Sequence, residues 1–194
     1  MENFEEEIEE EFTAEENFSR YLENLDLALE DLNKNILDIG SGSGDFARWA
    51  KENGIKSRIE SIDPQAKEGI KAVAENIPFK DESFDLIVSV AAIPNIYTGE
   101  KESGEKVNLS FSEMERVLRS GGEIRLGNVL IGEKYKSQQK IKESIEEKLM
   151  EFEEMGFEVE MIRKPSGDTY EYDEKNNPKE MLAEAYLVII RKKS

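Results

Sequence analysis

The chain of 194 residues contains no cysteine and no histidine. Without cysteine it can have no disulfide, no thiolate nucleophile and no cysteine-bound zinc. Without histidine it lacks the commonest general base and the commonest metal ligand. We therefore predict no metal site. Any reaction must rely on carboxylates, tyrosine, lysine, hydroxyls, amides or positioning alone.

Long apolar runs are also absent, since no segment approaches the ~20 apolar residues of a membrane span. The N-terminal stretch MENFEEEIEEEF lacks the basic and apolar regions of a signal peptide. These absences predict a cytoplasmic protein with no membrane partner, and the length fits a single globular domain.

Positive charge is scarce, because 26 lysines and arginines face 44 aspartates and glutamates, a formal net charge of −18. Such a charge repels a phosphate backbone unless a local basic patch overrides it. The composition therefore argues modestly against nucleic acid as a partner and leaves a small or cationic acceptor open.

The chain divides into an acidic, helical segment at 1–34 and a domain at 35–194. Apolar residues of the first segment recur mostly at three- and four-residue spacing, which gives a helix one apolar face. We interpret Glu5–Glu11 as a solvated helix end. A lid over a ligand site stays open for Phe18–Tyr21.

Strands and helices alternate from residue 35 onward. The predicted strands are Asn35–Gly40, Ser57–Asp63, Lys71–Glu75, Phe84–Val90, Glu123–Leu130, Phe157–Arg163 and Ala185–Arg191. The predicted helices are Asp45–Glu52, Gln65–Ile70, Ser110–Arg119 and Tyr135–Met155. A polar loop is expected from Tyr97 to Asn108, and a loop with a short helix from Pro165 to Glu180.

This order predicts an α/β protein with a Rossmann-like, doubly wound, mostly parallel sheet and helices on both faces. No helix of crossover length separates the last two strands, so we expect the final strand to be antiparallel.

The most informative segment is ILDIGSGSGDFARWA, residues 36–50, where a strand ends in glycines and a helix follows. A dinucleotide site has the spacing G-x-G-x-x-G and places a pyrophosphate at the helix N-terminus. Here the spacing is G-x-G-x-G, and Asp45 replaces the third glycine. Asp45 and Asp38 would repel pyrophosphate, but they favour a ligand with cationic sulfonium and ammonium groups, such as S-adenosylmethionine. Asp63 ends the next strand about 20 residues further on, as a ribose-binding acid does.

At these residues the chain resembles the class I S-adenosylmethionine-dependent methyltransferase family, in particular its small-molecule methyltransferase-like branch. The resemblance covers roughly residues 35–130. It rests on four ordered blocks, LDIGSGSG, SIDP, AENIPFKDESFDLIVS and EMERVLRSGGEIRL. It implies a class I methyltransferase fold and S-adenosylmethionine as the cofactor.

The resemblance also implies roles for individual residues. The methionine part of the cofactor would be held by Asp38 and the loop residues Gly40, Ser41, Gly42 and Gly44. Asp63 would bind the ribose, and Ile62 or Pro64 would pack on the adenine. The adenine edge would meet Ala74 and Glu75, and the methionine end would meet Ser89–Ala91. The family often places an aspartate near the adenine amino group where this chain has Val73.

Methyl transfer from a sulfonium is a direct displacement, so aligning the acceptor and excluding water matter more than a general base. Asn95 and Tyr97 follow the Phe84–Val90 strand and are the candidates for positioning the acceptor. The [DN]-P-P-[YFW] motif of nucleic-acid amino methyltransferases is not matched there. We predict a small-molecule acceptor. A protein or RNA methyltransferase, and a non-catalytic cofactor-binding module, remain the alternatives.

Overall fold

The computed structural model describes residues 13–98, 102–173 and 177–194. Its helices are α1 Ala14–Leu25, α2 Asp45–Glu52, α3 Ser103–Val117 and α4 Lys136–Glu154. Its strands are β1 Ile36–Ile39, β2 Ile59–Ile62, β3 Phe84–Val90, β4 Leu118–Ile131, β5 Glu158–Arg163, β6 Thr169–Tyr172 and β7 Pro178–Arg191. Short 3₁₀ turns occur at Leu29–Asn33, Asn95–Tyr97 and Pro165–Gly167. Within these ranges, no helix combines the length and the apolar character that crossing a membrane requires.

The strands form one mixed sheet in the order β2-β1-β3-β4-β7-β5, with β6 paired to β7. The pairs among β2, β1, β3 and β4 are parallel, whereas β7 runs antiparallel to β4, β5 and β6. The predicted α/β class, the mostly parallel sheet and the antiparallel last strand are therefore confirmed. Because β1, β3 and β4 are parallel, their carboxyl ends lie at the same edge of the sheet, where ligands of open α/β sheets bind.

Successive residues of the central strands are buried on opposite faces of the sheet, as the two-residue period of a strand requires. On one face, Ile36, Leu86 and Val88 pack with Phe18 of α1 and Phe46 of α2. On the other face, α3 and α4 pack on residues that include Leu37, Ile87, Ile124 and Val188. This alternation places Asp38, two residues after Ile36, on the same face as α1 and α2.

Helix α1 begins at a capping box, in which Thr13 and Glu16 satisfy each other's backbone amides. Its apolar side packs on α2, where Phe18 stacks on Trp49 with 3.6 Å between ring centroids. The acidic segment at 1–34 is therefore helical over Ala14–Leu25. The interpretation of Glu5–Glu11 as a solvated helix end lies outside the described residues.

The predicted helix Gln65–Ile70 and the predicted strand Lys71–Glu75 are wrong. The Ile70 amide donates to the Ser61 carbonyl, and the Asp63 amide donates to the Ile70 carbonyl, so the chain loops over residues 63–69 and Ile70 forms a single parallel bridge to Ile62 of β2. Only isolated bridges occur here, at Ile70 and Val73. Adding another parallel strand would need a crossover of a dozen or more residues, which this segment does not contain. A groove of about 750 Å³ consequently stays open between α2 and β2.

Two other predicted boundaries also differ from the structure. Helix α3 starts at Ser103, inside the predicted Tyr97–Asn108 loop, because Val107 lies on the same buried side as Phe111. The strand β4 begins directly after α3, so Leu118 and Arg119 belong to β4 and not to the predicted helix Ser110–Arg119.

The predicted loop and short helix at Pro165–Glu180 are largely replaced by β structure. The described part holds one 3₁₀ turn, the strand β6 and the first residues of β7, and residues 174–176 of this stretch lie outside the description. The two strands pair as a hairpin.

Candidate functional site

The glycine loop between β1 and α2 is built as a tight turn on the end of β2. The amides of Gly40 and Ser41 both donate to the Ile62 carbonyl, at 2.9 and 3.3 Å, and the Gly44 amide donates to the Ser41 carbonyl at 2.9 Å. All three loop glycines have positive φ, with values of 73° at Gly40, 55° at Gly42 and 76° at Gly44. Glycine is the residue that adopts this region without steric cost, which explains the G-x-G-x-G spacing.

The missing side chain has a different consequence at Gly40 and at Gly42. A Cβ added at Gly40 would lie 2.3 Å from the Cβ of Ala92, so Gly40 allows the turn after β3 to pack against the loop. A Cβ added at Gly42 would have no heavy atom of the described residues within 4 Å. The space in front of Gly42 is therefore open, as a loop that receives a ligand on its backbone requires.

Asp38, at the carboxyl end of β1, is a fully buried carboxylate. The Tyr21 hydroxyl donates to its Oδ1 at 3.1 Å, and the distance to Oδ2 is 3.4 Å. Burial raises the pKa of Asp38 to about 7, the Tyr21 hydrogen bond lowers it, and the negative charge of Asp63 adds to the rise. A buried anion of this kind is stabilised by a cation, and a cationic ligand group would supply one.

The carboxylate of Asp63 connects the loop to the end of β2. Its Oδ2 accepts from the Gly42 amide at 3.1 Å, and its Oδ1 accepts from the Gln65 amide at 2.7 Å. Each carboxylate oxygen has a second lone pair, so Asp63 can still accept a ribose hydroxyl. The Gln65 contact caps a turn, although no helix follows it.

Asp45 opens α2 and is neutralised by its neighbours. Arg48 forms an ion pair with its Oδ1, and Oδ2 accepts from Asn17 Nδ2 at 2.8 Å and from Ser43 Oγ at 2.7 Å. Its negative potential is therefore weaker than the formal charge assumed from the sequence. Asp38, which has no such cation within the part of the chain that the structure describes, remains the stronger argument for a cationic ligand.

The residues expected around the adenine are only partly accessible. Ile62 and Ala74 are buried in the core, whereas Pro64 is exposed beside Asp63. Glu75 is partly buried and lies 4.0 Å from Lys106 of α3. Val73, at the position of the missing family aspartate, is 42% exposed. Among the predicted adenine contacts, Pro64 and Glu75 are thus the ones with accessible surface.

Ser89, Asn95 and Tyr97 stabilise the turn after β3. Ser89 is fully buried, and its hydroxyl accepts from the Ile93 amide at 3.1 Å. The Asn95 amide group bridges to β4, because its Nδ2 donates to the Asn128 carbonyl at 2.7 Å and its Oδ1 accepts from the Leu130 amide at 2.9 Å.

Tyr97 is the predicted acceptor-positioning residue that the structure moves away from the loop surface. It is only 2% exposed, and its hydroxyl lies 2.7 Å from Ser110 Oγ of α3 inside the main core. The 3₁₀ turn Asn95–Tyr97 rotates this side chain toward α3, so its geometry is that of a packing residue. Nearer the strand ends, Ala91 is exposed at φ 54°, and Asn128 has φ 55°.

Comparison with known proteins adds a second kind of evidence to this geometry. Residues 37–126, which contain the glycine loop, Asp63 and β3, match the model of a methyltransferase domain family. Residues 37–126 are thus similar to a methyltransferase domain. This match supports the predicted family, the predicted methyltransferase activity and the predicted cofactor S-adenosylmethionine.

Curated relatives and solved structures similar to the chain add further comparisons. The chain is 33% identical over 118 residues to the ubiquinone/menaquinone biosynthesis C-methyltransferase UbiE of Rickettsia prowazekii, a match that covers 50% of this chain and 44% of the relative. The chain thus spans less than half the length of the curated relatives it matches first. A methyltransferase structure from Archaeoglobus fulgidus aligns with a TM-score of 0.54 at 15% identity, over 93% of this chain and 95% of that one. One from Methanosarcina mazei aligns with a TM-score of 0.51 at 18% identity, over 86% and 98%. At such identities the structures support the fold alone.

Two features near the site were not predicted from the sequence, although Tyr21 lies in the segment considered as a lid. Tyr21 contacts Asp38 from α1, and Asn128 forms a left-handed bulge at the end of β4. The signal for Tyr21 is a polar group on an otherwise apolar helix face, next to Phe18. No sequence signal marks Asn128, because its conformation depends on the contact with Asn95.

Proposed function

We propose that the protein methylates a small molecule and binds S-adenosylmethionine between the glycine loop, Asp38 and Asp63. The observation that carries this proposal is the pairing of an open backbone cradle at Gly42 with a buried carboxylate at Asp38, which forms no ion pair with a cation among the described residues. Together they suit a ligand that is cationic and approaches a backbone closely.

Several features support the fit of this cofactor to the residues present. The Oγ atoms of Ser41 and Ser61 are buried without a hydrogen-bond partner among the described residues, one in the glycine loop and one at the end of β2. Such groups are usually satisfied, and the polar amino-acid and ribose parts of the cofactor offer partners. In this arrangement Asp38 and the loop hold the methionine part, and Asp63 accepts from the ribose hydroxyls.

When bound, S-adenosylmethionine would supply a methyl group on a sulfonium, and the acceptor's nucleophile would attack the methyl carbon as the C–S bond breaks and S-adenosylhomocysteine leaves. The chain's own contribution is to bind, orient and exclude water. The turn after β3 is fixed by Ser89 and Asn95, so its exposed residues Ala91 and Ile96 present a rigid wall beside the loop. We propose this wall as the acceptor side.

A small molecule is the acceptor class that the charge and the relatives favour. The net charge of −18 repels nucleic acid, and the matched relative's name places it in quinone biosynthesis. The acidic and apolar surface near the strand ends fits an uncharged or cationic molecule better than a polyanion.

Calorimetry with S-adenosylmethionine tests the cofactor part of the proposal. We expect binding by the wild type, and a loss of affinity of about 1.5–3 kcal/mol, or roughly ten- to a hundredfold, in Asp63→Ala, because charge-assisted hydrogen bonds are removed. Glu154→Ala removes the same charge from an exposed site at the end of α4 and should bind normally. Absence of wild-type binding at millimolar ligand would contradict the proposal.

Formation of S-adenosylhomocysteine tests turnover. The acceptor panel should contain quinone precursors, small amines, a mixed RNA and a mixed peptide sample. Turnover on a small molecule supports the proposal. Turnover on RNA or peptide, or binding without any turnover, would favour the corresponding alternative instead.

A further inference from the structure

Helix α1 brings a phenol hydroxyl onto the buried carboxylate of β1. The Tyr21 hydroxyl is 3.1 Å from Asp38 Oδ1 and 3.4 Å from Oδ2. The Tyr21 ring stacks on Phe46 of α2, with 4.7 Å between centroids and 10° between ring planes. The hydroxyl is therefore placed by packing of the ring, and not by a freely rotating surface side chain.

The charged and titratable groups around Asp38 show why the Tyr21 hydroxyl is needed to stabilise the carboxylate anion. Asp63, beyond the end of β2, acts on Asp38 with the same sign of charge, and Arg20 of α1 acts on Tyr21. Within the described residues, no lysine or arginine forms an ion pair with Asp38. Tyr21 is thus the side-chain donor that opposes the desolvation of the anion.

The Tyr21 hydroxyl is an uncharged donor, and its effect on Asp38 therefore differs from that of a basic residue. A lysine or arginine on Asp38 would neutralise the carboxylate and repel a cationic ligand, whereas a phenol stabilises the anion and adds no charge. We propose that Tyr21 is a positioning residue of the cofactor site, holding Asp38 as the anion that receives the ammonium group of the cofactor. This inference rests on the proposed function.

The position of Tyr21 is fixed because α1 is anchored at both ends. Near its start, Asn17 Nδ2 donates to Asp45 Oδ2 at 2.8 Å. At its end, Arg125 of β4 donates to the carbonyls of Leu25 and Asp26, at 3.1 and 2.6 Å. The lid left open by the sequence is therefore a docked helix, which takes part in the site through one hydroxyl.

The variant Tyr21→Phe tests the proposal, because it keeps the ring stacked on Phe46 and removes only the hydroxyl. The probe is S-adenosylhomocysteine, which carries the same ammonium group, and its Kd is measured by calorimetry from pH 5.5 to 8.5. Tyr172→Phe, which changes an exposed tyrosine of β6, is the matched control. If the hydroxyl is worth about one pKa unit to Asp38, Kd rises about tenfold at pH 5.5 and approaches the wild-type value by pH 8.5.

A convergence of the two curves at high pH supports the positioning role. A loss of equal size at every pH would overturn it, because a purely structural role does not depend on the ionisation of Asp38. Identical Kd values at every pH would overturn it as well.

The pH dependence of unfolding without ligand separates this inference from the proposed function. Tyr21→Phe should move the Asp38 titration to higher pH in that measurement too. If the wild type binds and the variant's curves do not shift, only the positioning role is wrong. If the wild type fails to bind at millimolar probe, both the proposed function and the positioning role are wrong.

Discussion

Replacing Asp38 by asparagine should stabilise the protein at pH 8.5 while it weakens cofactor binding. Asp38 has no exposed surface, and burial raises its pKa to about 7. In the unfolded chain an aspartate titrates near 3.9. Ionisation of Asp38 at pH 8.5 therefore lowers the free energy of unfolding, and asparagine, which does not ionise, avoids this loss.

The sign follows from which state holds the proton. Below about pH 4, Asp38 is protonated in both the folded and the unfolded chain. Between pH 4 and 7 the folded chain keeps a proton that the unfolded chain has lost, so the free energy of unfolding falls as the pH rises. Above pH 7 the loss is complete and constant.

The magnitude follows from the size of the shift. About three pH units at about 1.4 kcal/mol each give ~4 kcal/mol between pH 4 and 8. For a chain of this size that corresponds to roughly 10 °C in Tm. The buried amide of asparagine also needs partners, so its pH-independent cost is removed by comparing the Asp38→Asn difference at pH 8.5 with the same difference at pH 5. About two of the three pH units lie between these two values, so the expected double difference is ~3 kcal/mol.

Urea unfolding at both pH values measures this double difference. Glu154→Gln, an exposed carboxyl at the end of α4, is the control and should give a double difference near zero. An Asp38→Asn value equally close to zero would refute the reasoning, because it would mean that Asp38 titrates normally in the folded protein.

Three further predictions follow from side chains at the loop and the turn. Gly42→Ala should lower the free energy of unfolding by about 1–2 kcal/mol, because the residue has a positive φ. The same variant should weaken S-adenosylhomocysteine binding more than tenfold in calorimetry. Gly40→Ala should lower the free energy of unfolding by about 3 kcal/mol or more, because its Cβ would collide with Ala92. Asn95→Ala should lower the free energy of unfolding by about 2 kcal/mol in urea, since two backbone groups lose their partner; an unchanged value would contradict the bridging role. Tyr97→Phe should cost about 1 kcal/mol and leave methyl transfer unchanged, and a large loss of turnover would restore the acceptor role predicted from the sequence.

The part of the fold that follows from local pattern was predictable. An apolar strand, three glycines and a helix start all lie within residues 36–52, and Asp63 follows at a distance set by one helix and one strand. The connection between β2 and β3, residues 63–83, was predicted wrongly, because residue types alone suggested a helix and a strand within it. The segment between the end of β2 and Lys71 has too few residues for a crossover, and this number decided against a further strand.

The acceptor side was less predictable, because a polar residue after a strand can face a ligand or support a turn. Asn95 and Tyr97 have the right chemistry for the first role, and their partners on β4 and α3 give them the second. Those partners lie 33 and 13 residues away in the chain, so no local pattern reveals them. The Tyr21 contact with Asp38 likewise depends on how α1 docks.

Because Trp49 stacks on Phe18 of α1, its fluorescence can report on the position of that helix. Trp49 is the sole tryptophan of the sequence, and its indole lies against the helix that carries Tyr21. Displacement of α1 would bring water to the indole and shift its emission to longer wavelength. Stopped-flow fluorescence can therefore time the docking of this helix against ligand entry, without any introduced dye.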